Sequence, residues 1–96
     1  MANSENLCDR EDLFYSADEV IGGYAMWFDF DAEKPKINVV YLDNPEFTAV
    51  IGIKWEHFEE ISFNMPRENL FEMKFLVERN KALLINEWNE KKASNI

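Results

Sequence analysis

Apolar residues alternate with polar or small ones through the middle of the chain and then switch to a helical spacing in the last third. Residues 24–30 put Tyr24, Met26, Phe28 and Phe30 on one side of an extended strand and Ala25, Trp27 and Asp29 on the other. Residues 37–42 repeat the pattern with Ile37, Val39 and Tyr41, and residues 47–53 with Phe47, Ala49, Ile51 and Ile53. Aromatic and β-branched side chains dominate all three runs, which favours strands over a buried helix. The connections at 31–35 and 43–46 are short and polar. Asp43-Asn44-Pro45 is a turn signal, because Asx side chains bond nearby backbone and proline fixes φ. Connections of this length predict an antiparallel meander.

After the third run, Trp55, Phe58, Ile61 and Phe63 follow neither period cleanly. They predict a loop or bulge near Glu56-His57 and a short fourth strand over about 59–63. Asn64 or Met65 is then expected to cap a helix with Pro66 in its first turn, where a missing N–H costs nothing. From Arg67 to about residue 91 there is no glycine or proline. Leu70, Met73, Val77, Leu84 and Trp88 share one face at 3.6 residues per turn, with Lys74 and Lys81 close beside it. The polar run Arg79-Asn80-Lys81 leaves both one helix and two open. Phe71, Phe75 and Leu83 fall off the stripe, against a widely wrapped sheet or a partner chain.

Upstream, residues 11–19 predict a short helix with Leu13, Phe14 and Ala17 as its apolar stripe. Val20 and Ile21 are read as an early start to the first strand, and Gly22-Gly23 as a bulge or bend. The division expected is an acidic, partly helical N-terminal segment over 1–19 and one α+β domain over 20–96. That domain is a small antiparallel meander sheet of three to four strands packed against a C-terminal helix or helix pair.

With 96 residues, one domain with a modest core is all the chain can build. Its net charge of −9 is uneven: residues 1–33 hold nine acids and one base, and the rest is nearly balanced. Such a surface repels phosphate backbones, so direct nucleic-acid binding is not expected. The acids serve solubility, a basic partner, or mimicry of a nucleic acid. One cysteine, Cys8, allows no internal disulfide. No run approaches the roughly 20 apolar residues of a membrane span, and the first twenty residues lack a secretory pattern. A cytoplasmic protein is expected, with no membrane partner.

Candidate chemistry is sparse. His57 is the single histidine and cannot build a His-rich metal site. Asp29, Asp31 and Glu33 form the best acidic cluster, with Asp29 and Asp31 on one strand face and Glu33 in the turn, a weak Ca²⁺ or Mg²⁺ candidate. The cluster fails the EF-hand pattern, because Lys34 and Val40 stand where Gly and Glu are required. Solvated turn charges are the simpler reading. No phosphate-binding loop is present, and no catalytic group or cofactor is assigned. Trp27 and Trp55 suit a flat ligand, a protein partner or plain core packing, and with Phe71 and Phe75 they are the candidate interaction residues.

From Val20 onward, over about three quarters of its length, the chain resembles the prokaryotic domain of unknown function 4160. The likeness rests on strand 24–30, the stretch Pro35-Lys36-Ile37-Asn38-Val39-Val40-Tyr41, the run Ala49-Val50-Ile51-Gly52-Ile53, and a Pro66-headed helix closing in Leu83-Leu84-Ile85-Asn86-Glu87-Trp88. That family carries a Pro-His-aromatic-His segment whose two histidines fall here on Lys36 and Asn38. Any metal or proton chemistry of those imidazoles is therefore not expected in this chain. The resemblance implies a protein-binding role in a toxin–antitoxin-like setting, with self-association or a separate protein as partner. The competing expectation is a small ligand- or metal-binding domain, or an enzyme, using Asp29, Asp31 and Glu33 or His57.

Overall fold

The computed structural model describes residues 14–31, 33–54 and 57–94. Five strands form one antiparallel sheet in sequence order: β1 (Glu19–Ile21), β2 (Tyr24–Asp29), β3 (Lys36–Tyr41), β4 (Thr48–Lys54) and β5 (His57–Asn64). Two helices follow, α1 (Arg67–Arg79) and α2 (Lys81–Ser94). The α+β class and the meander hold as the patterning predicts. The sheet is one strand wider, because residues 19–21 pair with β2 as a strand of their own.

That extra strand corrects the reading of Gly22-Gly23. The pair is a two-residue hairpin turn between Ile21 and Tyr24, with φ of 57° and 87°. Positive φ at both positions is what a type I′ hairpin demands, and glycine meets it without steric cost. Gly22 has a second reason to lack a side chain, since a Cβ there would lie 2.5 Å from Leu76 Cδ1 of α1. The β3–β4 turn behaves as its sequence predicts: Asn44 Oδ1 accepts the Glu46 N–H, and Asn44 O accepts the Phe47 N–H.

The fourth predicted strand exists and is longer, over His57–Asn64. Glu56 of the expected loop lies outside the described residues, and a further irregularity sits within the strand. Val50 pairs with Ser62 and Ile51 with Glu60, so β5 carries one extra residue at position 61, while His57 pairs regularly with Lys54. A one-residue insertion flips the parity of the faces, which is why the apolar spacing of this stretch fits neither period.

The helix cap also differs. Pro66 itself takes the cap position, with extended backbone (φ −60°, ψ 154°) and no side-chain cap, while Asn64 ends β5 and Met65 enters the core. Asn80, at φ −104° and ψ 22°, separates two helices. Its side-chain amide donates to the Leu76 carbonyl at 2.8 Å, a local bond that competes with regular helix. The buried stripe nonetheless runs through both: Leu70, Met73 and Val77 on α1, Leu84 and Trp88 on α2. Lys74 is exposed and bridges to Glu60 at 3.3 Å, and Lys81 is half-buried.

One face of the sheet meets this stripe. Tyr24, Met26, Phe28, Ile37, Val39, Ala49 and Ile51 pack with Met65, Leu70, Met73, Val77, Leu84 and Trp88 in a single core. Trp88 closes it at one end, with ring centroids 5.5 Å from Phe28 and 4.4 Å from Phe30. By alternation the far face carries Val20, Ala25, Trp27, Asn38, Val40, Thr48, Val50 and Ser62. Of these Ala25 is buried, Ser62 is exposed and the rest are half-buried. No helix among the described residues is long and apolar enough to cross a membrane.

Candidate functional site

The acidic cluster at the β2–β3 connection is occupied with its own backbone. β2 ends at Asp29, so Asp31 stands in the turn and does not share a strand face with it. Asp29 Oδ2 pairs with Lys36 Nζ at 3.0 Å across the β2–β3 register, and Asp29 Oδ1 accepts the Asp31 N–H at 3.2 Å. Asp31 Oδ1 in turn accepts the N–H groups of Glu33 at 2.8 Å and Lys34 at 3.3 Å. Those backbone bonds hold the Asp31 carboxyl below the usual carboxylate range. Among the described residues no three His, Cys, Asp or Glu side chains converge as a metal site. The carboxylates build a turn.

His57 opens β5 and is exposed. It rims a broad open groove between the β4–β5 hairpin and the helices, together with Glu78, Arg79, Lys81, Ala82, Ile85, Asn86 and Asn89. A more enclosed pocket lies between Ile51, Phe58, Met73 and Val77, with the Lys74–Glu60 pair at its edge. Its volume of about 60 Å³ is far short of the ~300 Å³ at which small-molecule sites begin.

Trp27 lies outside the core, half-buried on the far face in a row with Asn38, Val50 and Ser62. Lys36 and Asn38, where the resembled family has histidines, stand two residues apart on that same face. Lys36 is taken up by Asp29. Trp55, Glu56 and Cys8 lie outside the described residues, as do four of the nine acids on which the nucleic-acid-mimic expectation rests, Glu5, Asp9, Glu11 and Asp12.

The outer surface of α1 is different. Phe71 and Phe75 follow one another by one helical turn and are 59% and 60% exposed. Leu83, at the start of α2, is 44% exposed, and Arg79 places its guanidinium 5.9 Å from the Phe75 ring centroid. The off-stripe position of these residues in sequence marks them, and the structure leaves them uncovered.

Tyr24 is a residue that chain patterning undervalued. Its ring is fully buried and stacks on Tyr41 at 4.8 Å. Its hydroxyl reaches α1, donating to Glu72 Oε1 at 2.8 Å, accepting from Asn69 Nδ2 at 3.1 Å, and lying 3.2 Å from the Asn69 carbonyl oxygen. Burial, with the Glu72 carboxylate adding to it, pushes the phenol up to about 12. A tyrosine on a core-facing strand position is the available signal, because a buried hydroxyl needs a partner.

These elements define a class: a two-layer α+β protein, an antiparallel five-stranded meander roofed on one face by two consecutive helices. Compared with known proteins, the chain matches no family model, no curated protein and no solved structure.

Proposed function

We propose that this protein is a non-enzymatic protein-interaction module whose binding face is the outer surface of α1. The observation that carries the reading is the pair Phe71 and Phe75, each about 60% exposed on consecutive turns. Covering a phenylalanine fully is worth about 1.5–3 kcal/mol, so leaving two of them side by side in water is a standing cost that a partner removes. Arg79 beside the Phe75 ring adds the aromatic–arginine composition typical of binding hot spots. The acidic cluster and His57 support no competing chemistry, since the first is consumed by the turn and the second stands on an open rim. The resemblance to the domain of unknown function 4160 supports a toxin–antitoxin-like setting in the cytoplasm, by analogy only.

The test compares the native chain with Phe71→Ser/Phe75→Ser in light-scattering chromatography and affinity co-purification. The native chain is expected to associate, with itself or another protein, and the double variant to lose that association while keeping the same circular-dichroism melt. Equal association by both proteins, or none by either, would refute it.

A further inference from the structure

Among the described residues β5 stands at one edge of the sheet and pairs only with β4. It is eight residues long, against three for β1 at the other edge, and contains no proline. A long free edge of this kind is a template for another strand. Above it, α1 turns one flank toward β5. Lys74 reaches Glu60 at 3.3 Å, and Lys74 and Glu78 line the cleft over Phe58. Phe71 stands one turn before Lys74 and Phe75 directly after it, and both rings are exposed. Phe63, on the helix-facing side of β5, is 43% exposed. Asn69, Glu72 and Leu76 occupy the opposite flank of α1, over Tyr24 and Gly22. The free backbone and the uncovered rings therefore lie on one side of both layers.

We propose that this side is the interface with a second copy of the chain. Two β5 strands pair antiparallel about a two-fold axis, so the two sheets join into one with all helices on the same face. The inference rests on the interaction-module reading and names its partner. Full overlap of the eight residues puts His57 opposite Asn64, Phe58 opposite Phe63, and Glu59 opposite Ser62 of the other copy. In a regular strand the two members of each such pair, an odd number of positions apart, would face opposite sides of the sheet. The extra residue at position 61 switches the parity. Phe58 and Phe63 both face the helices, beside Ile53 and Ala49, and Glu59 and Ser62 both face away, beside Gly52 and Val50. The bulge makes this edge self-complementary. The helix layer fits the same axis. The Glu60–Lys74 bridge ties the middle of β5 to the middle of α1, and Phe71 and Phe75 lie two positions either side of Met73 at that middle. Phe71 of each copy comes level with Phe75 of the other. The two Glu59 carboxylates do not oppose one another, being three positions or about 10 Å apart along the strands, and Glu60 is held by Lys74. An edge about 26 Å long and two layers about 20 Å deep offer roughly 500 Å² per copy. The total of about 1,000 Å² meets the lower bound of a specific interface, so a dissociation constant on the order of 10–100 µM is expected.

Sedimentation over about 10–1000 µM at ~0.15 M ionic strength tests the assignment; there, repulsion between two acidic copies is cut beyond roughly 8 Å. The native chain is expected to dimerise, and Phe63→Lys, with its fold checked by circular dichroism, to dimerise about tenfold more weakly or worse. Register is read by cross-linking on a Cys8→Ser background, with Glu59→Cys and Ser62→Cys made as separate proteins. Both positions are exposed, so neither change disturbs the core. Mixed and treated with oxidised glutathione, the two are expected to form a disulfide-linked heterodimer. Glu59→Cys alone is expected to form little, because about 10 Å exceeds the ~7 Å that a disulfide spans. A native chain that stays monomeric, Phe63→Lys that dimerises like the native chain, or a mixture that links no better than Glu59→Cys alone would each overturn it. That failure is separable from failure of the underlying reading: a chain without this dimer that still binds another protein through Phe71 and Phe75 remains an interaction module with a different partner.

Discussion

Replacing Tyr24 by phenylalanine removes one oxygen atom and leaves the ring, its stack on Tyr41 and the core volume in place. What is lost is the tie between β2 and α1. The hydroxyl donates to a carboxylate at 2.8 Å and accepts from the Asn69 amide at 3.1 Å. A hydrogen bond to a charged group contributes about 1.5–3 kcal/mol net. Glu72 is exposed and Asn69 half-buried, so water can take up both partners once the hydroxyl is gone. The expected loss is therefore roughly 1–2 kcal/mol. In a chain of this size that lowers Tm by about 4–15 °C, and urea melts followed by circular dichroism resolve it.

The pH dependence gives an independent readout. The folded state holds the phenol at about 12, above its ordinary value of 10, by burying it. The neutral phenol is the form that folding favours. Its contribution is complete below pH 10 and is lost as pH rises through 10 toward 12. A two-unit shift corresponds to about 2.7 kcal/mol at full strength, and the solvent reaching Glu72 reduces this to about 1–2. The native chain should lose that much more stability than Tyr24→Phe between pH 9 and 12, so the two curves converge. Parallel curves, or a variant as stable as the native chain at pH 7, would show that the tie contributes nothing.

Trp88→Ala empties the end of the core between Phe28 and Phe30 and should cost about 3–5 kcal/mol. Against a typical total of 5–15 kcal/mol this brings the chain near unfolding, visible as loss of the cooperative thermal transition. Gly22→Ala forces a Cβ onto a residue at φ 57° and against the Leu76 methyl group. It should destabilise by about 1–2 kcal/mol in urea melts. Gly23→Ala places a Cβ at φ 87° with only ordinary contact to the Tyr41 ring, so its loss in the same melts reports backbone strain without a clash.

Much of the architecture is legible in the chain because local periodicity and tertiary burial agree. The faces of β2, β3 and β4 follow from alternation, and Leu70, Met73, Val77, Leu84 and Trp88 from the 3.6-residue repeat. The misses have separate local causes. β1 is three residues long, too short for a period, and only the hairpin at Gly22-Gly23 turns it into a strand. The bulge at position 61 shifts parity without any glycine or proline to announce it. Asp29 and Asp31 are only a weak ligand candidate by spacing, and what spacing does not tell is that their carboxylates bond their own turn.

By itself, then, the order of apolar and polar residues determined which side chains face inward, since burial rewards that choice strand by strand and turn by turn. Whether Phe71 and Phe75 are core or surface was decided only in three dimensions: a two-layer fold covers one face of a helix and leaves the opposite face without neighbours. The same holds for Tyr24, whose hydroxyl finds its partners 45 and 48 residues away in sequence. Pairings at that separation exist only once β2 and α1 have packed.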